Sequence, residues 1–190
     1  MPQTIPESSY LMRMADGTIK QVNPFTGTEV WTVPGRGNRP LGVSTHAPVP
    51  LDPARQDAHC AFCARRYLET PPEKARLVRV DGKFVTLRHL LFDALFDTVA
   101  EFRRIPNLFE IVSFEYWQKN FGYKLPDAIE AYKRNYLNSA SGRSHVLKVV
   151  EQRLKAAGVD EAVWERMPMD ERLQLANAFF GGGHEVIVAR

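Results

Sequence analysis

The sequence changes character near residue 85, and that switch restricts the folds open to it. Upstream, Pro, Gly and Thr are frequent and apolar residues come in short runs, as in GTIKQVNPFTGTEVWTVPGRGNRPLG. Ile19, Val22, Val30, Trp31 and Val33 are β-branched or aromatic, types that fit a pleated, half-buried surface. Asp16-Gly17 and Thr26-Gly27 supply turns between such strands, Asp-Gly being the stronger hairpin signal. KARLVRVDGKFVTL predicts two further strands around Asp81-Gly82, and residues 43–56, with three prolines, read as an irregular loop.

Downstream the period becomes helical. Leu87, Leu90, Leu91, Ala94, Leu95, Thr98 and Phe102 predict one buried helical face. PDAIEAYKRNYLNS opens with a proline and an acid, as helix N-termini do. SGRSHVLKVVEQRLKAAG puts Val146, Val149, Val150 and Leu154 on one face and stops at Gly158, while MDERLQLANAFFGGG predicts another short helix. Phe114, Trp117 and Phe121 share a face predicted to be core, and Glu151 with Lys155 makes an i,i+4 pair on a solvated one. Glu185–Ala189 reads as a strand whose Val186-Ile187-Val188 run suits a place with neighbours on both sides, so the chain is expected to continue past Arg190. The expected class is α+β: an antiparallel sheet region over 1–113 and 181–190, with a helical insert over 114–180.

The longest apolar stretch, LRHLLFDALFDTVAEF, is broken by Arg88, His89, Asp93 and Asp97, so no membrane span is expected. The N-terminal MPQTIPESSYLMRM lacks the apolar core of a secretory signal, which points to a cytoplasmic protein. A net charge of +3 without a basic run permits phosphate-bearing ligands and argues against nucleic acid as the partner.

Two cysteines, Cys60 and Cys63, stand in DAHCAFCARRY. A CxxC turn aims two sulfurs at one ion, and a tetrahedral zinc site needs two more ligands. No third cysteine exists, and no two of His46, His59, His89, His145 and His184 lie within five positions of each other. A redox dithiol wants a preceding strand and a following helix, whereas a Pro-rich loop precedes this pair. Two ordinary small residues in a loop is the bland alternative. A zinc half-site is the favoured one.

Further stretches, taken in order with the CxxC, carry a resemblance. NPFTGTEVWTVPGRGNRP (23–40) resembles the N-P-x-T-G…R-x-x-R-P opening of the galactose-1-phosphate uridylyltransferase family, where it precedes a C-x-x-C. FRRIPNLFEIVS (102–113) is similar to that family's F-x-x-x-x-N-x-F/Y segment, and GGGHEVIVAR to its G-x-H-E-V-I-V strand. The resemblance covers roughly residues 10–70, 100–113 and 181–190.

It implies the antiparallel sheet of a histidine-triad-like transferase fold, usually dimeric, that moves a nucleoside monophosphate between a sugar phosphate and a diphosphate acceptor. A histidine in H-P-H-x-Q is the family's nucleophile. A structural zinc, where present, is bound by the CxxC and two later histidines. No H-x-H occurs in these 190 residues, so the nucleophile and the other zinc ligands are expected beyond Arg190. The resemblance assigns Arg36 and Arg39, in the glycine-rich PGRGNRP, to nucleotide phosphates, a role that suits the planar guanidinium fork; two solvated loop arginines is the alternative. It assigns Asn107 to ribose or phosphate, where a plain turn residue is the alternative. Asn23 and Thr26 are expected to shape their turn. The resulting expectation is a nucleotidyltransferase part that binds a nucleotide sugar or sugar phosphate, with a possible homodimer. The reading from another class is a non-catalytic nucleotide- or partner-binding module on the same fold.

Overall fold

The computed structural model describes residues 10–34, 50, 52–55, 58, 61–62, 64–107, 112–183 and 185–189. The chain is α+β and divides into two compact units, one of residues 1–49 with 115–123, the other of 50–114 with 124–190. The helical residues 124–180 therefore belong to the same unit as the larger sheet, a division other than the sheet-plus-insert one expected from sequence.

The first unit carries an antiparallel meander of β1 (Leu11–Arg13), β2 (Ile19–Val22) and β3 (Glu29–Thr32). Both expected turns are present, with Gly17 at φ 85° and Gly27 at φ 69°. Asn23 does shape the second turn: its side-chain oxygen accepts from Phe25 N at 2.9 Å and Thr26 N at 3.2 Å. β3 ends one residue short of Val33, because Pro34 has no N–H to extend the ladder.

Helix α1 (Phe114–Phe121) differs from its expectation. Phe114 is buried in the core of the second unit, but Trp117 and Phe121 are 44% and 60% exposed. The buried α1 ring of the first unit is Tyr116, stacked on Trp31 with centroids 5.4 Å apart, so burial follows the face that meets β3.

The second unit holds an antiparallel sheet in the order β5-β4-β6-β7, formed by β4 (Ala75–Val80), β5 (Lys83–Arg88), β6 (Phe102–Pro106) and β7 (Glu185–Ala189). β4 and β5 form a two-residue hairpin in which Asp81 (φ 49°) and Gly82 (φ 78°) both take positive φ, the geometry that matches strand twist. Among the described residues β7 pairs with β6 alone, and Ile187 is 67% exposed. Among the described residues the apolar run thus lies at the edge of the sheet.

The helix expected over Leu87–Phe102 is absent. Leu87 belongs to β5, Phe92–Ala94 is a single 3₁₀ turn and Phe102 begins β6. The reason is the buried Arg76 guanidinium. Its Nη1 draws on Leu95 O at 2.7 Å, Thr98 O at 2.8 Å and Thr98 Oγ1 at 3.1 Å. A continuous helix would have spent such carbonyls on its own ladder.

The remaining helices are α2 (Asp127–Asn138), α3 (Ala140–Ala156), α4 (Glu161–Arg166), α5 (Met169–Leu175) and α6 (Asn177–Gly181). α5 and α6 split the single helix expected there, at Ala176. Val146, Val149 and Val150 of α3 pack with Tyr136, Trp164, Phe179 and Phe180 into one core, as the period of α3 predicts. Ser139 caps α3 by accepting from Gly142 N, Gly158 follows it at φ 80°, and Glu151 and Lys155 pair at 2.8 Å.

Gly142 fits the tight entry to α3, since a Cβ there would lie 2.2 Å from Tyr136 O. Gly142→Ala is expected to lower unfolding free energy by about 1–3 kcal/mol in urea titrations. Gly183→Ala, where a Cβ meets nothing within 4 Å, should leave it unchanged.

Candidate functional site

Arg76 of β4 and Arg103 of β6 are register partners, directly opposite on neighbouring strands, and both are buried. Strand alternation puts them on the same face as Val78 and Ile105, the face that carries the buried residues. Like charges so placed repel unless something neutralises them. Glu73, just before β4, does so. Its Oε1 accepts from Arg76 Nε and its Oε2 from Arg103 Nε at 2.9 Å.

The segment leading to Glu73 completes the cluster. Tyr67 lies in a 3₁₀ helix, Ala64–Glu69, and donates to Glu73 Oε2 at 2.6 Å while accepting from Arg76 Nη2. The Arg103 guanidinium lies over the Tyr67 ring, 3.4 Å from its centroid, and donates through Nη2 to Thr70 Oγ1 at 3.2 Å. Thr70 O in turn accepts from His145 Nε2 on α3 at 2.9 Å, and Tyr136 O–H donates to His145 Nδ1 at 2.8 Å. The Thr70 carbonyl can only accept, so Nε2 donates; in the neutral imidazole Nδ1 then accepts from Tyr136, and both ring nitrogens are engaged.

This arrangement positions rather than reacts. Burial pushes the Tyr67 hydroxyl, together with those of Tyr132 and Tyr136, well above the ordinary tyrosine range. Burial also pushes His145 below its ordinary value, and the charges of Arg103 and Lys148 add to that. Arg103 Nη1 is buried without a hydrogen-bond partner among the described residues, so the cluster keeps one net positive charge and one unused donor.

Of the residues named from sequence, Arg36, Arg39, Cys60 and Cys63 lie outside the described residues, as does His184. Asn107 is described. It is half-buried and follows Pro106 at the end of β6, whose register partner is Glu185 of β7. Glu185 accepts from Arg104 Nε at 2.5 Å. Tyr67 stands four positions after Cys63, so the cluster fixes the chain just downstream of the CxxC. Among the described residues no three His, Cys, Asp or Glu side chains are grouped as a metal would need.

The cluster was missed as a group in the sequence. Its signal is an arginine in each of KARLVRV and FRRIP, of which the sequence predicts only the first as a strand, with an acid three residues before Arg76.

A family model described as a domain of unknown function, DUF4921, matches residues 14–190. The chain belongs to this family. The DUF4921 match runs through both compact units and takes in Arg36, Arg39, the CxxC and all members of the buried cluster. No curated protein and no solved structure matches the chain. No helix among the described residues of this DUF4921 chain is long and apolar enough to cross a membrane.

Two outcomes follow from the geometry. Arg76→Met strips the acceptors of Leu95 and Thr98 of their partner, so unfolding free energy should fall by about 3 kcal/mol. Amide hydrogen exchange over residues 91–98 should rise with it. Unfolded His145 takes up a proton as pH falls through about 6.5, whereas the folded imidazole does so only at lower pH. The unfolded state binds more protons in that window, so stability should drop as pH is lowered from about 7 through it. The drop between pH 7.5 and 5.5, read from urea midpoints, should be smaller in His145→Gln.

Proposed function

We propose that this chain is a zinc-containing, nucleotidyltransferase-type module related to the galactose-1-phosphate uridylyltransferases, and that it binds the phosphates of a nucleotide sugar or sugar phosphate. The observation that carries the reading is the convergence of motif segments on β6. That strand, from FRRIPN, pairs along its length with β7, from EVIVA. Through Arg103 it also holds Tyr67 and Thr70, which follow the CxxC. Segments far apart in sequence, and linked only by the family pattern, thus meet at one strand of the second unit. The N-P-x-T-G turn of the first unit adds support, its Asn23 capping the turn that the motif requires.

In this reading Cys60 and Cys63 supply two thiolates, donors that suit a four-coordinate structural zinc. Arg36 and Arg39 donate paired, charge-assisted hydrogen bonds to phosphate oxygens, and Asn107, at the end of β6, offers an amide to ribose or phosphate. No residue is assigned nucleophilic attack, because the 190 residues contain no H-x-H. The second reading is a module of this fold that binds nucleotide or a partner without chemistry. Both place the protein in the cytoplasm and allow a homodimer.

The test is metal content together with nucleotide binding. Purified protein should carry zinc, and Cys60→Ser should lower both the zinc stoichiometry and the melting temperature. Unchanged zinc in the variant contradicts the site. Uridine diphosphate should bind saturably by calorimetry, with affinity at least about ten-fold weaker in Arg36→Ala, the loss of more than about 1.4 kcal/mol that a charge-assisted phosphate contact supplies. Absence of nucleotide binding, with binding to RNA in its place, would overturn both readings.

A further inference from the structure

In the second unit, residues of α3, α4 and α5 line an open surface cavity of about 470 Å³. Arg143 and Lys148 of α3 and Arg172 of α5 line it, beside Ser144 and Trp164. None of the three cations has an acidic partner among the described residues. Arg143 donates through Nε to Leu137 O at 3.1 Å. Arg172 donates through Nε to Met167 O at 2.9 Å and through Nη2 to Glu165 O at 2.8 Å, and its guanidinium lies 4.3 Å from the centre of the Trp164 ring. Main-chain carbonyls thus hold both guanidiniums and leave their positive charge uncancelled.

The nearby acids are already taken. Glu151 also lines the cavity but pairs with Lys155 at 2.8 Å. Glu69, which feels the charge of Lys148, pairs with Arg66 at 2.5 Å. Ala140, the first residue of the 17-residue α3, stands on the cavity wall, so the positive end of that helix dipole adds to the same field.

We infer that this cavity is a binding site for a small molecule carrying a diphosphate group. Three uncompensated cations, two from α3 and one from α5, call for a ligand of more than one negative charge, and a single carboxylate would leave two of them bare. Arg143 gives main-chain carbonyls only its Nε, and Arg172 its Nε and Nη2, so the remaining guanidinium N–H groups suit phosphoryl oxygens through charge-assisted hydrogen bonds. Ser144 adds a hydroxyl donor, and Leu147 with the Trp164 ring gives an apolar floor for whatever the diphosphate is attached to. The site is built from α3, α4 and α5 and uses none of Arg36, Arg39 or Asn107. It stands whether or not the nucleotidyltransferase reading does.

Inorganic pyrophosphate is the probe, titrated into the full chain at low ionic strength and followed by amide and indole N–H chemical shifts. Binding should move the Ser144 amide and the Trp164 indole N–H saturably, and added salt should weaken it. In Arg143→Gln/Lys148→Gln, whose side chains are exposed and lie outside the core, these shifts should saturate at concentrations at least ten-fold higher with an unchanged melting temperature. Arg36→Ala should leave them as they are, even if it abolishes uridine diphosphate binding elsewhere. Three results would each overturn the site: no shift at Ser144 and Trp164, the same titration curve in the double variant, or a loss of these shifts in Arg36→Ala.

Discussion

Arg76 and Arg103 face one another across adjacent strands with hardly any solvent around them, and a single carboxylate lies between them. Two unit charges about 4 Å apart repel by about 4 kcal/mol even at an effective dielectric of about 20. Glu73 converts that repulsion into two ion pairs, and much else follows from its position. Because Glu73 precedes β4, the chain from Tyr67 to Thr70 is drawn onto β6. Because Arg76 still has donors to spare, residues 95–98 wrap its guanidinium in place of forming a helix. Because Thr70 is held by Arg103, its carbonyl is presented to His145, and α3 docks on the same cluster. A buried charge network is a poor source of net stability but a strong constraint on which arrangement of segments is allowed.

Much of the fold was legible because local rules decide it. Asp81-Gly82 and Asp16-Gly17 fix turns by backbone sterics, and Val146, Val149 and Val150 report a helix by their spacing alone. Leu87–Phe102 misled for the converse reason. Its three- and four-residue spacing matched a helix, but the acceptor demand of Arg76, some twenty residues upstream, is invisible to any local period. Trp117 and Phe121 failed similarly, since which face of α1 is covered depends on where Trp31 lies. Val186-Ile187-Val188 reads as a strand from its residue types, and a strand is what forms over Glu185–Ala189. In the described sheet the run sits on an edge.

The candidate chemistry was legible in part and by a different route. Cys60, Cys63, Arg36 and Arg39 stand out by residue type and motif order, and they lie outside the described residues. What the fold adds is a set of contacts among the flanking segments. The residues after the CxxC and the FRRIPN strand are locked together by Arg103, and FRRIPN is locked to EVIVA by a ladder. A zinc that pinned the CxxC would therefore act on the same strand that carries Asn107. Membership of the DUF4921 family extends over all of these segments at once.

The claim that Glu73 is the keystone of this arrangement is tested most directly by a double-mutant cycle of Glu73→Gln and Arg103→Gln, read by urea unfolding with Arg76 intact. A coupling free energy of about 2–3 kcal/mol, with the double variant more stable than Glu73→Gln alone, is the expected result. Additive effects, with coupling below about 0.5 kcal/mol, would mean that the two side chains are bystanders in a fold held together by its apolar core.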